Sequence, residues 1–325
     1  MSKTTKSPRK VAAAAYRIAQ SSLPQFAHRF SPQKFTLPQL LVCLVLKTFF
    51  KTDYRGITAI LNDSPDLCKI FNLTLVPHFT TLQKASKKLL RFVVADRLLE
   101  TTVQFAMKQR TTIDLAAIDS TGLESGHISQ YFVKRRSREP NLYQTTTYKR
   151  WPKLVIVCDC SNHFILSAIT IRGPSPDVNQ FSKPLRLCVE KFRINQLLAD
   201  AGYDSEANHK YAREVHHIRT IIPAKHGRPT TKLPRSKYRR EMRTDFDKQT
   251  YGHRWQVETV FSMIKRNFGS SLQAKRYWSQ CREMMLLALT HNIAIILLVN
   301  ELFYRARRFP FRLLSQLYAL VFGSF

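Results

Sequence analysis

Between residues 113 and 222 the chain alternates short apolar runs with turns and amphipathic stretches, and this order constrains the fold more than any other feature. Residues 113–119, 154–159, 164–171, 196–200 and 218–222 are rich in Val, Ile, Leu and Phe. Each is short and bounded by turn-forming residues, so each reads as a buried strand. Ser161-Asn162-His163 forms the turn between the second and the third. Residues 181–192 and 205–215 have helical texture. Pro223 cannot donate to a ladder and closes the last strand. The expected order is β-β-β-α-β-α-β, then a polar, basic insertion over 224–250, then two long helices over about 252–267 and 279–303. The first and fourth strands end on Asp119 and Asp200.

The chain before this region has a different period. Pro38 suits the first turn of a helix after Thr36, and Leu40, Leu41, Leu44 and Val45 follow at core spacing. Asp53 is placed to cap a second helix with Ile57, Ile60 and Leu61, and Thr80 or Thr81 to begin a third through Leu82, Ala85, Leu89 and Leu90. Short helices with scattered cations fit a helical DNA-binding module, such as a helix-turn-helix, and equally a plain helical bundle. Residues 1–34 carry seven Lys/Arg and no acidic residue. They read mainly as a basic arm, although Ala12 to Ala15 can nucleate a helix.

Charge narrows the partners. Fifty-two Lys+Arg against 22 Asp+Glu leave a formal charge of +30. Such an excess repels itself in a compact state and calls for a polyanion, nucleic acid first. Residues 134–153 hold Lys134, Arg135, Arg136, Arg138, Lys149, Arg150 and Lys153 with Tyr143, Tyr148 and Trp151 interleaved. Residues 225–248 hold Lys225, Arg228, Lys232, Arg235, Lys237, Arg239, Arg240, Arg243 and Lys248. Both suit phosphate contact with stacking; both also suit a solvated loop. Six scattered cysteines exclude a disulfide framework and lack zinc spacing, so buried thiols are expected. The N-terminus has no apolar signal-peptide core. The apolar stretch 284–304 is interrupted by Thr290-His291-Asn292 and Asn300, which points to a buried helix rather than a membrane span.

The chemistry concentrates around Glu258. Tyr251, Arg254, Glu258 and Lys265 follow Y-x2-R-x3-E-x6-K. On an α-helix all four fall within roughly 40° of one meridian. Val257, Val260, Phe261, Ile264 and Phe268 take a separate arc, roughly 100° away. One face is built for a core, and the adjacent face carries a carboxylate among two cations and a phenol. Trp255, beside Arg254, reads as a stacking platform for a base or as packing. A single Asp after a strand is commonly a cap or turn former. Asp204, Asp159 and Glu124 read that way, and Asp114 reads as structural. Asp119, Asp200 and Glu258 together form a trio of hard oxygen ligands suited to Mg²⁺ and two-metal phosphoryl transfer.

The strand order with strand-end carboxylates fits an RNase H-like α/β catalytic domain. The complete pattern resembles the DDE transposases of bacterial insertion sequences, in the group with a Y-R-E-K signature. Every spacing of that signature is intact, and Ile118-Asp119-Ser120-Thr121 and Ala199-Asp200-Ala201-Gly202-Tyr203-Asp204-Ser205 resemble its two aspartate motifs. The resemblance spans about residues 110–300. It implies Asp119, Asp200 and Glu258 as metal-binding catalytic residues, with two Mg²⁺ ions for which Mn²⁺ can substitute. It implies Arg254, Lys265 and Tyr251 as contacts to DNA. It further implies double-stranded DNA, as element ends and target, for a partner, and a homodimer in the DNA synapse. A cytoplasmic, nucleoid-associated location without a membrane is expected. The rival readings are a non-catalytic DNA-binding protein and a nuclease of the same fold without strand transfer. The expected division is a basic arm over 1–34, a helical DNA-binding domain over 35–110, the catalytic domain over 111–303 with its short insertion, and a tail over 304–325.

Overall fold

The computed structural model describes residues 5–30, 32–107, 111–125, 152–173, 175–225 and 232–308. The cationic stretch 134–151, Arg228 and the tail beyond 308 lie outside them. The chain divides into two compact units, residues 1–110 with 286–325, and residues 111–285.

The first unit is helical. Its described elements before residue 110 are α1 Pro8–Ser22, α2 Leu37–Phe49, α3 Tyr54–Asn62, α4 Pro65–Lys69, α5 Phe79–Leu89 and α6 Phe92–Met107. Helix α1 replaces most of the expected basic arm. Ser7 caps it by accepting from the Lys10 N–H, and Pro8 opens its first turn. Val11, Ala12, Ala15, Ile18 and Ala19 are fully buried, while Arg9, Lys10 and Arg17 face solvent. Spacing of three and four among small apolar residues outweighs the charge of the segment. Helix α2 begins with a capping box: Gln39 N–H donates to Thr36 Oγ1, and Thr36 N–H donates to Gln39 Oε1. Residues 40–48 of α2 are all buried, so it is the central helix of the unit. Asp53 caps α3 through the Gly56 N–H. Helix α5 starts at Phe79 rather than at Thr80 or Thr81, with His78 as its cap.

The second unit is built on one mixed sheet. Its strands are β1 Thr112–Gly122, β2 Glu124–Ser125, β3 Pro152–Asp159, β4 Ile165–Arg172, β5 Arg193–Ala199, β6 Arg219–Ile221 and β7 Ser271–Leu272. The main sheet has the order β4-β3-β1-β5-β6, and β2 pairs with β7 apart from it. Strands β3 and β4 are antiparallel to their neighbours, whereas β1, β5 and β6 run parallel. Strand β1 is central, and Ala116, Ala117 and Ile118 are fully buried, as expected of a strand covered on both faces. The β3–β4 turn is held by Asp159, which accepts from the Ser161 N–H and hydroxyl and from Asn162. His163 takes the left-handed conformation that closes it.

Helices α7 Ser182–Val189, α8 Glu206–Lys210, α9 Lys237–Thr244, α10 Lys248–Tyr251 and α11 Trp255–Phe268 complete the unit. This is a mixed α/β, RNase H-like layer. Helix α9 gives the basic insertion a fixed framework, with Arg213 on Glu241 at 2.8 Å and Arg239 on Asp204 at 2.9 Å. The last helix, α12 Tyr277–Arg308, is shared. The sequence assigns it whole to the α/β domain, yet its residues from Leu286 belong to the helical unit. There the buried Asn292 amide donates to Thr102 Oγ1 of α6 at 2.9 Å. The helix also runs five residues into the expected tail, to Arg308. Among the described residues no helix is long and apolar enough to cross a membrane. All six cysteines are buried free thiols.

Candidate active site

The two aspartates meet through strand register. Ile118 of β1 pairs with Ala199 of β5 in the parallel ladder. The next residue on each strand path is Asp119 and Asp200. Strand β1 does not end at Asp119, as its apolar run suggests, but continues to Gly122 opposite β3. Asp119 is therefore held in the ladder opposite Ile156 of β3, one residue past the last pair with β5. Its Oδ1 accepts the Ser120 N–H at 2.7 Å. Burial pushes the Asp119 carboxyl up to about 6; the Ser120 N–H and Arg254 oppose the shift, and the charges of Asp200 and Asp177 reinforce it. Asp200 is exposed, in extended backbone just before the turn Ala201–Tyr203, and its side chain makes no capping bond there.

Glu258 arrives from the opposite direction. Val257, Val260, Phe261, Ile264 and Phe268 are buried along α11, which packs on β1 and β3. Glu258 stands in the first turn with its side chain 56% exposed. The signature residues do not share one regular α-helix. Tyr251 ends α10, Gly252–Arg254 form a tighter 3₁₀ turn against β5, and the α-helix begins at Trp255. A 3₁₀ turn advances faster per residue, so the meridian drawn from α-helical spacing holds only from Trp255 onward.

Arg254 ties strand and helix together. Its guanidinium bonds Glu258 and lies 3.7 Å from Asp119 Oδ2. Tyr251 sits beside it: burial raises the phenol, Arg254 opposes that, and Asp200 and Asp119 add to it. Trp255 is 51% exposed, so its ring is free of the core. Lys265 follows Glu258 by two turns, about 10 Å along the helix, and no hydrogen bond or ion pair among the described residues joins it to the carboxylates. The structure thus brings together Asp119, Asp200, Glu258, Arg254 and Tyr251, and leaves Lys265 and Trp255 on the flank.

Four neighbours have roles that the sequence reading missed or misplaced. Asp177 accepts from the Ser120 hydroxyl at 2.8 Å and from Lys153 Nζ at 2.7 Å. Lys153, assigned to a DNA-facing patch, is instead turned inward with its side chain only 15% exposed. Tyr203 is buried within electrostatic reach of Asp177, Asp119 and Asp200. Asp204, read as a surface or turn residue, is a buried anchor. Desolvation opposes its charge, but His209, the Lys225 N–H and Arg239 hold its carboxyl below the usual range. Arg239 is accordingly spent inside the fold, whereas Arg235, Lys237, Arg240, Arg243 and Lys248 face solvent.

Among the described residues, no group of three or more His, Cys, Asp or Glu is close enough to hold a metal ion. Arg254 supplies the positive charge between Asp119 and Glu258 instead. The donor set nevertheless suits a hard divalent cation: carboxylate oxygens, one of them desolvated beside two further negative charges.

An RNase H-like sheet with carboxylates from adjacent strands and a crossing helix defines an enzyme of the nuclease and transposase class. The sequence model of the family described as the transposase DDE domain matches residues 110–293, more than half of the chain, and the protein belongs to that family. Its activity is therefore transposase-type DNA cleavage and transfer, of a kind that generally uses divalent metals. No curated protein matches the chain.

Proposed function

We propose that the protein is the transposase of a bacterial insertion sequence. It cuts the 3′ strand at each element end by hydrolysis and joins the freed 3′-OH to target DNA, acting as a homodimer that holds two ends in one synapse. Asp119, Asp200 and Glu258 are the catalytic carboxylates and would hold two Mg²⁺ ions. Those ions, when bound, supply activation of the attacking oxygen and stabilisation of the leaving one. The reading is carried by the parallel register that sets Asp119 beside Asp200, with Glu258 linked to Asp119 through Arg254.

The chain's own residues do the rest. Asp119 is held by its pairing with Ile156 of β3 and by the Ser120 N–H, so its oxygens need little rearrangement. Glu258, more than half exposed, swings into the cluster when Arg254 turns outward to a DNA phosphate. Arg254 and Lys265 hold backbone phosphates, and Tyr251 orients Arg254. Trp255 stacks against an unpaired base near the cut. The exposed cations of α9 follow the duplex and supply salt-dependent affinity.

The test uses Asp119→Asn, Asp200→Asn and Glu258→Gln, each assayed on end DNA with Mg²⁺. Each is expected to lose cleavage while end binding by gel shift survives. Wild-type cutting by any one removes that residue from the set. Pre-cut ends mixed with a target plasmid then separate the alternatives. Joined products mark a transposase, cleavage without joining marks a nuclease, and binding alone marks a DNA-binding protein.

A further inference from the structure

We propose that Asp177 is a positioning residue for the catalytic aspartates, engaging Lys153 and Ser120 so that Asp119 and Asp200 stay available to a divalent cation. The proposal rests on the metal-binding reading of Asp119 and Asp200.

Asp177 is the hub of three separate segments. It opens the short turn Asp177–Gln180, after β4. One of its oxygens, Oδ1, accepts both the Ser120 hydroxyl of β1 and the Lys153 ammonium of β3. Lys153 is held there a second time by the Ser175 carbonyl, at 3.3 Å. The other oxygen faces the Asp200 loop: a Cβ on Gly202 would meet Asp177 Oδ2 at 3.6 Å and Asp200 Oδ2 at 3.9 Å. The buried Asn208 amide fastens the two turns together, donating to the Val178 carbonyl at 3.0 Å and the Tyr203 carbonyl at 2.8 Å.

Two consequences follow for Asp119. Ser120 is oriented from both ends, its hydroxyl on Asp177 and its N–H on Asp119 Oδ1. Losing Asp177 therefore loosens the residue whose N–H aims the catalytic carboxylate. Second, Lys153 is a partly desolvated cation within this cluster. Released from Asp177, it becomes free to pair with another carboxylate of the cluster, and an ammonium paired with Asp119 or Asp200 competes directly with a divalent ion. Groups that orient ligating carboxylates typically change metal affinity by about 10 to 100-fold when removed.

The experiment is Mn²⁺ binding to the full-length, DNA-free protein, followed by electron paramagnetic resonance, with melting curves alongside. Asp177→Asn keeps the shape and an acceptor for Ser120 but drops the charge that holds Lys153. It is expected to weaken Mn²⁺ binding about 10-fold or more. Adding Lys153→Met to that variant is expected to restore most of the affinity, because the competing cation is gone. A purely structural role does not produce such rescue. Wild-type affinity in Asp177→Asn, or a double variant as weak as the single one, overturns the proposal. Ser120→Ala removes the other arm without a change of charge and is expected to weaken binding in the same direction; unchanged affinity there also counts against it. Asp119→Asn is the control for the underlying reading. If it binds Mn²⁺ as the wild type does, the metal site itself is misplaced and the role of Asp177 falls with it. If it loses Mn²⁺ while Asp177→Asn does not, only the Asp177 proposal fails.

Discussion

Asp119→Asn is expected to stabilise the metal-free protein while removing its catalysis. A carboxyl moved from its usual 3.8 to about 6 prefers its neutral form by about 3 kcal/mol more when folded than when unfolded. The principal cause is desolvation beside Asp200 and Asp177, only partly offset by the Ser120 N–H and Arg254. With 20% of the side chain exposed, solvent screens part of this, leaving about 2 kcal/mol. The sign follows from proton binding. Between pH about 4 and 6 the folded state holds a proton that the unfolded state has lost, so this group's contribution declines as pH rises through that window. Asparagine has the same shape and no charge to desolvate. In EDTA, wild type and variant should melt together near pH 4. The variant should then rise above wild type through pH 6, by about 5 °C at pH 7.5. Mg²⁺ should close or reverse the gap, because ion binding at 100 times its Kd adds about 2.7 kcal/mol to the wild type alone. Scanning calorimetry across this pH range checks it. No gap at pH 7.5 refutes the buried-charge argument, and an equal gap at pH 4 assigns the effect to packing.

Other perturbations probe the rest of the structure. Arg254→Ala should cut single-turnover cleavage of a pre-bound end by about 100-fold, since a positioned cation acts mainly on charge developing in the transition state; gel shifts should show a much smaller loss of binding. Asp204→Ala removes the buried partner of Arg239 and His209 and should cost about 3 to 5 kcal/mol in urea unfolding. Because the Asp204 carboxyl lies below its usual range, the stability it provides is complete above pH about 4 and fades as pH falls further. Thr102→Val removes the hydroxyl that accepts from the buried Asn292 amide and should destabilise the helical unit by about 1 kcal/mol, as read by chemical denaturation.

Much of the α/β unit was legible because a strand covered on both faces leaves a continuous apolar run. The β1, β3, β4 and β5 segments all announce themselves this way. Polar residues at the end of such a strand do not, and so Ser120 to Gly122 were lost from β1 although β3 pairs with them. Charge misled in two places. The cations of residues 1–34 obscured the small-residue stripe that buries α1, and Lys153 looked like one more basic surface residue because its partner lies across the sheet edge in a later loop. Asp177 gave no signal at all. It follows Gly173-Pro174-Ser175-Pro176, where no period exists to say which way a side chain points. Asp119, Asp200, Glu258 and Arg254 were singled out by motif spacing, which carries information that periodicity lacks. The 3₁₀ turn at 252–254 was hidden, since α and 3₁₀ backbones accept the same residues over so short a span.

The Ile118–Ala199 pairing makes the separation of the two aspartates digital rather than continuous. Parallel strands slip only in steps that keep their faces, about 6.6 Å for two residues. Loops between β1 and β5 can lengthen or shorten over evolutionary time without moving either carboxylate, because the ladder alone sets their spacing. A single inserted residue within β5, by contrast, would throw its whole downstream face to the other side of the sheet. Drift in this lineage should therefore collect in the connections and stop abruptly at the strand ends.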